Sequence, residues 1–283
     1  MPIIELRQVD KIFPTRHGTI TVMHDLSFDV ADSEFLAITG PSGCGKSTLL
    51  RLIHGLERPT NGSILYRGAP VSGVCRRMSM VFQSFALFPW LTVLENVGFG
   101  LEALHWTPDR IAEQVERYIQ VTGLGGFEDA YPRELSGGMR QRVGLARALA
   151  VEPDVLLMDE PFSALDPLTA EALREEVLQL WRDPALPPEA VLLVTHNIEE
   201  AILLADRVVV LSGRPTRVLE TVEVPLPRPR NRKSPAVYDL MDRVYSLITE
   251  DESLAAPTPP AHSAPAEATR SSDRSDDPSL GAQ

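Results

Sequence analysis

The sequence predicts an α/β protein: a core of buried parallel strands, a set of short antiparallel strands before it, and a mostly helical insert within it. Three observations lead there. FLAITG (35–40) is a short apolar run that stops at a glycine-rich loop and is followed at once by an apolar helical stretch. DVLLMDE (154–160), AVLLVTH (190–196) and RVVVLSG (207–213) are continuous apolar runs, with helical stretches between the first two, as strands covered on both faces read. From about residue 84 to 150 the spacing of apolar residues changes to that of helices.

Taken in order, Ile4 and Leu6, then Ile20 and Val22, alternate with polar residues and read as short antiparallel strands. Leu49, Leu50, Leu52 and Ile53 form the helix after the glycine loop, which ends at Gly55. SILYRG (63–68) and MSMVFQ (78–83) read as further strands. In the insert, Thr92 to Glu95 is a capping box for a helix to about Leu104. Thr107-Pro108 opens a second helix with Ile111, Val115, Tyr118 and Ile119 on one face and Gly123 at its end. Ser234-Pro235 could cap another, with Val237, Leu240, Met241, Val244, Leu247 and Ile248 on one face, so that residues 225–250 form an extension with one packed helix. Residues 251–283 are rich in Pro, Ala, Ser and Asp with almost no bulky apolar residue, and are expected to be disordered and dispensable for activity.

At 283 residues the chain can bury a substantial core. Its 43% hydrophobic and 23% charged residues are ordinary for a globular protein, and no apolar run is long enough to span a membrane. The N-terminus has neither the basic start nor the apolar stretch of a signal peptide. Cys44 and Cys75 are the only cysteines and no CxxC occurs, which argues against a disulfide framework or structural zinc and makes the cytoplasm the default. A formal net charge of −12 makes non-specific nucleic-acid binding a poor fit, so no nucleic-acid partner is expected.

The chemistry is concentrated in a few motifs. GPSGCGKST comprises Gly40, Pro41, Ser42, Gly43, Cys44, Gly45, Lys46, Ser47 and Thr48 and satisfies G-x-x-x-x-G-K-[ST]. Its glycines let backbone N–H groups close around phosphates, Lys46 is the point charge for the β- and γ-phosphates, and Ser47 can ligate magnesium. A chance match is opposed by the position of the loop between strand and helix. It is also opposed by the scarcity of lysine, found only at Lys11, Lys46 and Lys233. DVLLMDEPF ends a strand in two carboxylates. Asp159 suits the magnesium shell, directly or through water, and Glu160 can polarise a water at the γ-phosphate; alone, the pair would read as solvated acids. LSGGMRQR (135–142) has the hydroxyl, glycines and helical run of a helix N-terminus made to receive an anion. Cys44, near a helix start and Lys46, is expected to be a reactive thiolate unless it points into the domain, and Cys75 is read among strand residues. Singly, His196, Gln83 and Phe13 could be a structural histidine, a loop amide and a core ring.

In this order, the glycine loop, Gln83, LSGG, MDE, SALD (163–166) and His196 resemble the ATP-binding subunits of ABC transporters, over about residues 3–224. The resemblance implies a P-loop NTPase core in an ATP-binding domain at residues 1–224, with the helical subdomain at about 84–150. It implies that Phe13 stacks on adenine, in place of the family's tyrosine, and that Gln83 reaches magnesium and the attacking water. Glu160 is then the general base, His196 contacts the γ-phosphate, and Asp166 stands at the position of the D-loop aspartate. It also implies a head-to-tail pair, in which ATP held by Lys46 of one copy is covered by Ser136, Gly137, Gly138 and Gln141 of the other.

Partners follow from the same resemblance: a second copy, integral membrane permease subunits and, indirectly, an extracytoplasmic substrate-binding protein, with this chain peripheral on the cytoplasmic face of the membrane. The Phe85–Trp90 loop could be core, but directly after Gln83 it is read as the dock for the membrane partner. FPWLTVLENV and VPLPRPRNR are similar to the nitrate, sulfonate, taurine and bicarbonate importer branch, although Ser84-Phe85 stands where a Glu-Pro pair is common there. The basic stretch 224–233 reads as a solvated linker, or as a contact for anionic lipid. Alternatives are an ABC system for an amino acid, a lipid, a metal or export, and a soluble ABC-type ATPase of repair or translation. A sensor that binds ATP without hydrolysing it should lack the base, yet Glu160 is present.

Overall fold

The computed structural model describes residues 1–16, 18–183 and 188–255. Two sheets organise it. β1 (Pro2–Thr15), β2 (Gly18–Ala31), β4 (Asn61–Tyr66) and the two-residue β5 (Ala69–Pro70) make an antiparallel sheet in the order β2-β1-β4-β5. β1 and β2 are 14 residues each, far longer than expected, because bulges re-phase the alternation several times along their pairing.

The second sheet has the order β10-β9-β3-β8-β7-β6. Its parallel members are β3 (Phe35–Thr39), β6 (Met78–Val81), β7 (Val155–Asp159), β8 (Ala190–Val194) and β9 (Arg207–Leu211). The sequence gives no warning of β10 (Val218–Glu223), an antiparallel edge strand whose half-exposed residues lack a clear apolar alternation.

The continuous apolar runs are explained by period-two packing into two cores. In β3, Phe35 and Ala37 face the core that also holds the insert and the later helices; Leu36 and Ile38 face the core shared with the antiparallel sheet. α1 (Lys46–His54) buries Leu49, Leu50, Leu52 and Ile53 in the second core and ends on left-handed Gly55 (φ 84°), where a Cβ would lie 2.0 Å from the Gly73 carbonyl oxygen.

The insert contains α2 (Val93–Ala103), α3 (Pro108–Val121), a single 3₁₀ turn at Pro132–Glu134 and α4 (Gly137–Ala150). Thr92 and Glu95 form the reciprocal capping box, whereas the Thr107 side chain makes no cap bond to α3. α5 (Pro167–Arg182) and α6 (Ile198–Leu204) cover the first core with α4.

α7 runs over Pro235–Ala255. Val237 and Val244 are buried, and Leu240, Met241, Leu247 and Ile248 pack against the first core. The helix therefore continues past the expected start of disorder at residue 251; the rest of that expectation, residues 256–283, lies outside the described residues. The basic linker reading of 224–233 is corrected at two of its residues. Arg228 donates to the Leu204 carbonyl, pairs with Asp206 at 2.7 Å and lies over Trp181. Arg230 donates to the carbonyls of Leu226, Ile202, Ala205 and Val224, satisfying the open end of α6. Burial, with Arg228 beside it, pulls the Arg230 pKa down to about 10. Arg228 and Arg230 are thus half-buried internal ties, while Arg232 and Lys233 of the same stretch stay exposed.

Candidate nucleotide site

Parallel strands deliver their carboxyl ends to one edge of a sheet, and there the turns between elements can converge. The glycine loop leaves β3, Gln83 follows β6, Asp159 ends β7 with Glu160 next to it, and His196 follows β8. Strand order alone thus gathers residues more than 150 positions apart in sequence.

In the loop, Gly43 and Gly45 have φ of 75° and 118°, conformations that favour glycine, and Gly45 caps α1. Lys46 is buried and its Nζ donates to the carbonyls of Gly40 (2.9 Å) and Pro41 (3.1 Å). The Ser47 hydroxyl donates to Asp159 Oδ1 at 3.0 Å. Burial pushes the Asp159 carboxyl up from its ordinary pKa, and the Ser47 hydrogen bond opposes that rise. Thr48 lies in the first turn of α1.

Glu160 sits at φ 46°, a conformation that is uncommon for a side-chain-bearing residue, fixed by its N–H donating to the Val194 carbonyl at 2.9 Å. Its Oε2 is 2.9 Å from His196 Nδ1. Gln83 Nε2 donates to Ser163 Oγ at 3.2 Å, and Ser163 Oγ donates to the Glu160 carbonyl at 2.9 Å. Glu160, Ser163 and His196 line one cavity of about 320 Å³. Behind it, Thr195 Oγ1 donates to buried Glu200 at 2.6 Å and Arg174 pairs with the same carboxylate at 3.0 Å, so α5 and α6 hold the histidine turn together.

Phe13 lies on β1 opposite Ile20, partly exposed, with the Lys11 ammonium 4.6 Å from its ring centre. Asp166 caps α5 by accepting the Thr169 N–H at 3.1 Å, and the bonds from Thr169 hold its carboxyl below the usual range.

The LSGG segment is elsewhere. Ser136 caps α4, accepting the Met139 N–H at 3.2 Å, and a Cβ on Gly138 would lie 2.4 Å from Thr169 Cγ2. Ser136 and Gly138 line a groove with Met139, Arg142, Leu168 and Thr169, whereas Pro41 to Cys44 line another with Gly213 and Arg214; no residue is common to the two. The structure therefore brings Lys46, Ser47, Asp159, Glu160, Gln83 and His196 to one sheet edge and leaves Ser136, Gly137 and Gly138 on a separate helix end.

Three expectations are corrected. Gln141 is 1% exposed with both amide atoms unpartnered, so it does not stand on the surface that a second copy would meet. Cys44 is 2% exposed in the second core, and burial raises its thiol pKa, outweighing the nearby Lys46 charge. Cys75 lies in the loop between β5 and β6, not in a strand.

Sequence reasoning also missed Arg147. This α4 residue donates to the carbonyls of Ala86 (2.8 Å) and Phe85 (3.1 Å), both left-handed residues just after Gln83, so the loop after Gln83 is fastened to the LSGG helix. The only signal was a cation on an apolar helix face. Beyond the clamp, Phe88 packs against the exposed Phe99 with ring centres 4.3 Å apart and Trp90 is 70% exposed, so only Leu87 of this loop packs on the first core and its aromatic rings lie at the surface. Among the described residues no helix is long and apolar enough to cross a membrane.

Comparison with known proteins places the chain in a family. The family model described as ABC transporter matches residues 23–163. A nitrate import ATP-binding protein of Synechocystis is 41% identical over 254 residues, spanning 87% of this chain and 94% of the relative. An aliphatic sulfonates import ATP-binding protein of Bacillus cereus is 38% identical over 241 residues, spanning 85% and 94%. A dimeric ATP-binding cassette in a post-hydrolysis state, bound to ADP and Pi, superposes with a TM-score of 0.70 at 30% identity, covering 79% of this chain and all of that one. The chain belongs to the ATP-binding subunits of ABC transporters.

Proposed function

We propose that this chain hydrolyses ATP at two composite sites of a homodimer on the cytoplasmic face of the membrane, and so powers import of a small anion through separate permease subunits. The observation that carries the reading is the separation just described. A lysine-bearing, braced phosphate loop lies on one sheet edge, and the LSGG helix end, with Arg142 at its rim, opens into a different groove of the same chain. Two copies head to tail let each LSGG end close the other's loop.

In this reading Gly40 to Thr48 wrap the phosphates, Lys46 exchanges its two carbonyl partners for phosphate oxygens, and Phe13 stacks on the base. Glu160 accepts a proton from water as that oxygen attacks the γ-phosphorus and the bond to the β-γ bridging oxygen breaks, leaving ADP and phosphate. His196 orients the Glu160 carboxylate through Nδ1 and presents its other nitrogen to the γ-phosphate. Gln83 positions the water, and its tie to Ser163 passes loop movement to the base.

Magnesium fits the oxygen donors found here, the Ser47 hydroxyl and a buried Asp159 carboxylate, with Gln83 as a third. Bound there it would neutralise β- and γ-phosphate charge. The rise in the Asp159 pKa points the same way, since a buried anion without a cation is unfavourable.

Nitrate, sulfonate and bicarbonate share a compact anionic head, and the first two are named for relatives of this chain. An extracytoplasmic binding protein would select among such anions. The test is co-purification of the chain with its permease from membranes, followed by vesicle uptake driven by MgATP. Uptake of one of these anions is expected; uptake of only a cation or a lipid, or export, would contradict the importer reading.

A further inference from the structure

α7 reaches back to the phosphate loop. Its Asp251 accepts the Gly213 N–H at 2.9 Å, across 38 positions of sequence. Gly213 belongs to the turn between β9 and β10, which Ser212 closes by donating to the Gly213 carbonyl (2.9 Å) and accepting the Arg217 N–H (2.8 Å). The far side of this turn grips the loop. Thr216 Oγ1 donates to the Cys44 carbonyl, and the Thr216 N–H donates to the Val22 carbonyl at 2.8 Å. The near side presses on the loop's first residue: a Cβ on Gly40 would lie 2.7 Å from the Leu211 carbonyl oxygen. The end of β9 and the turn after it therefore touch the loop at Gly40 and at Cys44, and the helix that ends the described chain fixes that turn.

We infer that Asp251 is a positioning residue for the phosphate loop, acting through the β9–β10 turn, so that α7 sets how well the loop holds a nucleotide. This rests on reading the loop as the nucleotide site. The physical reason is that phosphate binding needs the loop carbonyls and N–H groups held in one arrangement, and a loop free to rearrange loses ordering entropy on binding. Asp251 acts on the loop from outside and touches none of the reacting groups.

The experiment measures MgADP affinity, the ATP KM and kcat, and the melting temperature of the purified full chain and its variants. Asp251→Ala, and a chain ended at residue 248, are expected to raise the MgADP Kd and the KM by about three- to tenfold, with kcat nearly unchanged. Asp251→Asn keeps an acceptor oxygen and is expected to behave close to wild type, as is a chain ended at residue 255. Arg243→Ala is the control: it removes the Arg243–Glu220 pair, which joins α7 to β10 without touching the turn, and should leave Kd unchanged. An Asp251→Ala variant with wild-type Kd and KM, or an Arg243→Ala variant equally weakened, would overturn the inference. Failure of the wild-type chain to bind MgADP at all would instead overturn the nucleotide reading, and the inference with it.

Discussion

The phosphate loop and the LSGG helix end, which the proposed function brings to the same phosphates, are built differently. The loop is charged and tied on every side: Lys46 to two carbonyls, Ser47 to Asp159, Cys44 to Thr216, Gly40 against Leu211. The LSGG end has no acidic side chain in its first turn, its only hydroxyl is occupied in capping its own helix, and Gly138 is pressed on Thr169. One is a cradle that can hold a nucleotide within a single chain. The other offers backbone donors and a helix dipole, enough to complete a site but not to make one. The difference teaches that binding and closure belong to different parts of the chain, and each can be broken alone.

Glu160→Gln should give the largest effect. Turnover should fall by about 10²- to 10⁴-fold, the range for a lost general base, while MgADP affinity is kept and an ATP-bound dimer accumulates on gel filtration. Undiminished turnover would remove Glu160 from the mechanism. Gly138→Ala strikes the other end. Overpacking against Thr169 should destabilise the fold by about 1–3 kcal/mol and depress turnover, yet leave MgADP affinity unchanged because the cradle is intact. Equal losses of affinity and turnover would break the comparison, placing LSGG in the same-chain site.

Asp159→Asn sharpens it. The folded-state pKa of Asp159 is raised, so its contribution to stability is present below the unfolded carboxylate pKa and lost as pH rises through the folded value. At neutral pH without a cation the ionised group is destabilising. The Asn variant should therefore melt about 2–4 °C higher than wild type without magnesium at pH 7, the gain shrinking as pH falls, while magnesium-dependent turnover is lost. A lower melting point across that pH range would contradict the assignment. The smallest effect concerns thiols. With Cys44 buried and its pKa raised, maleimide should label the half-exposed Cys75 first in the folded chain, and turnover should survive that first event. Mass spectrometry of early time points decides it.

How far the sequence foretold this depends on the scale of the interaction. The loop, the acid pair and the two capped helix starts at Thr92 and Ser136 were legible because each is a local pattern whose physics is complete within a few residues. The parallel core was legible from its continuous apolar runs. Arg147, Arg230 and Asp251 were not: each binds backbone groups of a distant turn, and a backbone carbonyl or N–H has no letter in the sequence. Cys44 was misread for a related reason. Its neighbours in sequence, a helix start and Lys46, argue for a thiolate, but its neighbours in space are Leu, Ile and Met side chains of the second core. β10 was missed because an edge strand needs few apolar contacts, here buried Val222 and partly buried Val218.

The inward turn of Arg228 and Arg230 bears on how this protein would behave in a fractionation. Part of the positive charge nearest the C-terminal helix is committed to carbonyl oxygens and Asp206, so it cannot face a phospholipid bilayer, and the chain as a whole carries −12. An acidic protein held to a membrane by lipid electrostatics would be released by salt within a Debye length of screening. If, as proposed, an aromatic surface such as exposed Trp90 meets a permease, the chain should stay in the pellet through a wash of about 0.5 M salt, well above the roughly 0.1 M at which screening reaches about 10 Å. It should come away only with agents that disrupt protein–protein contacts.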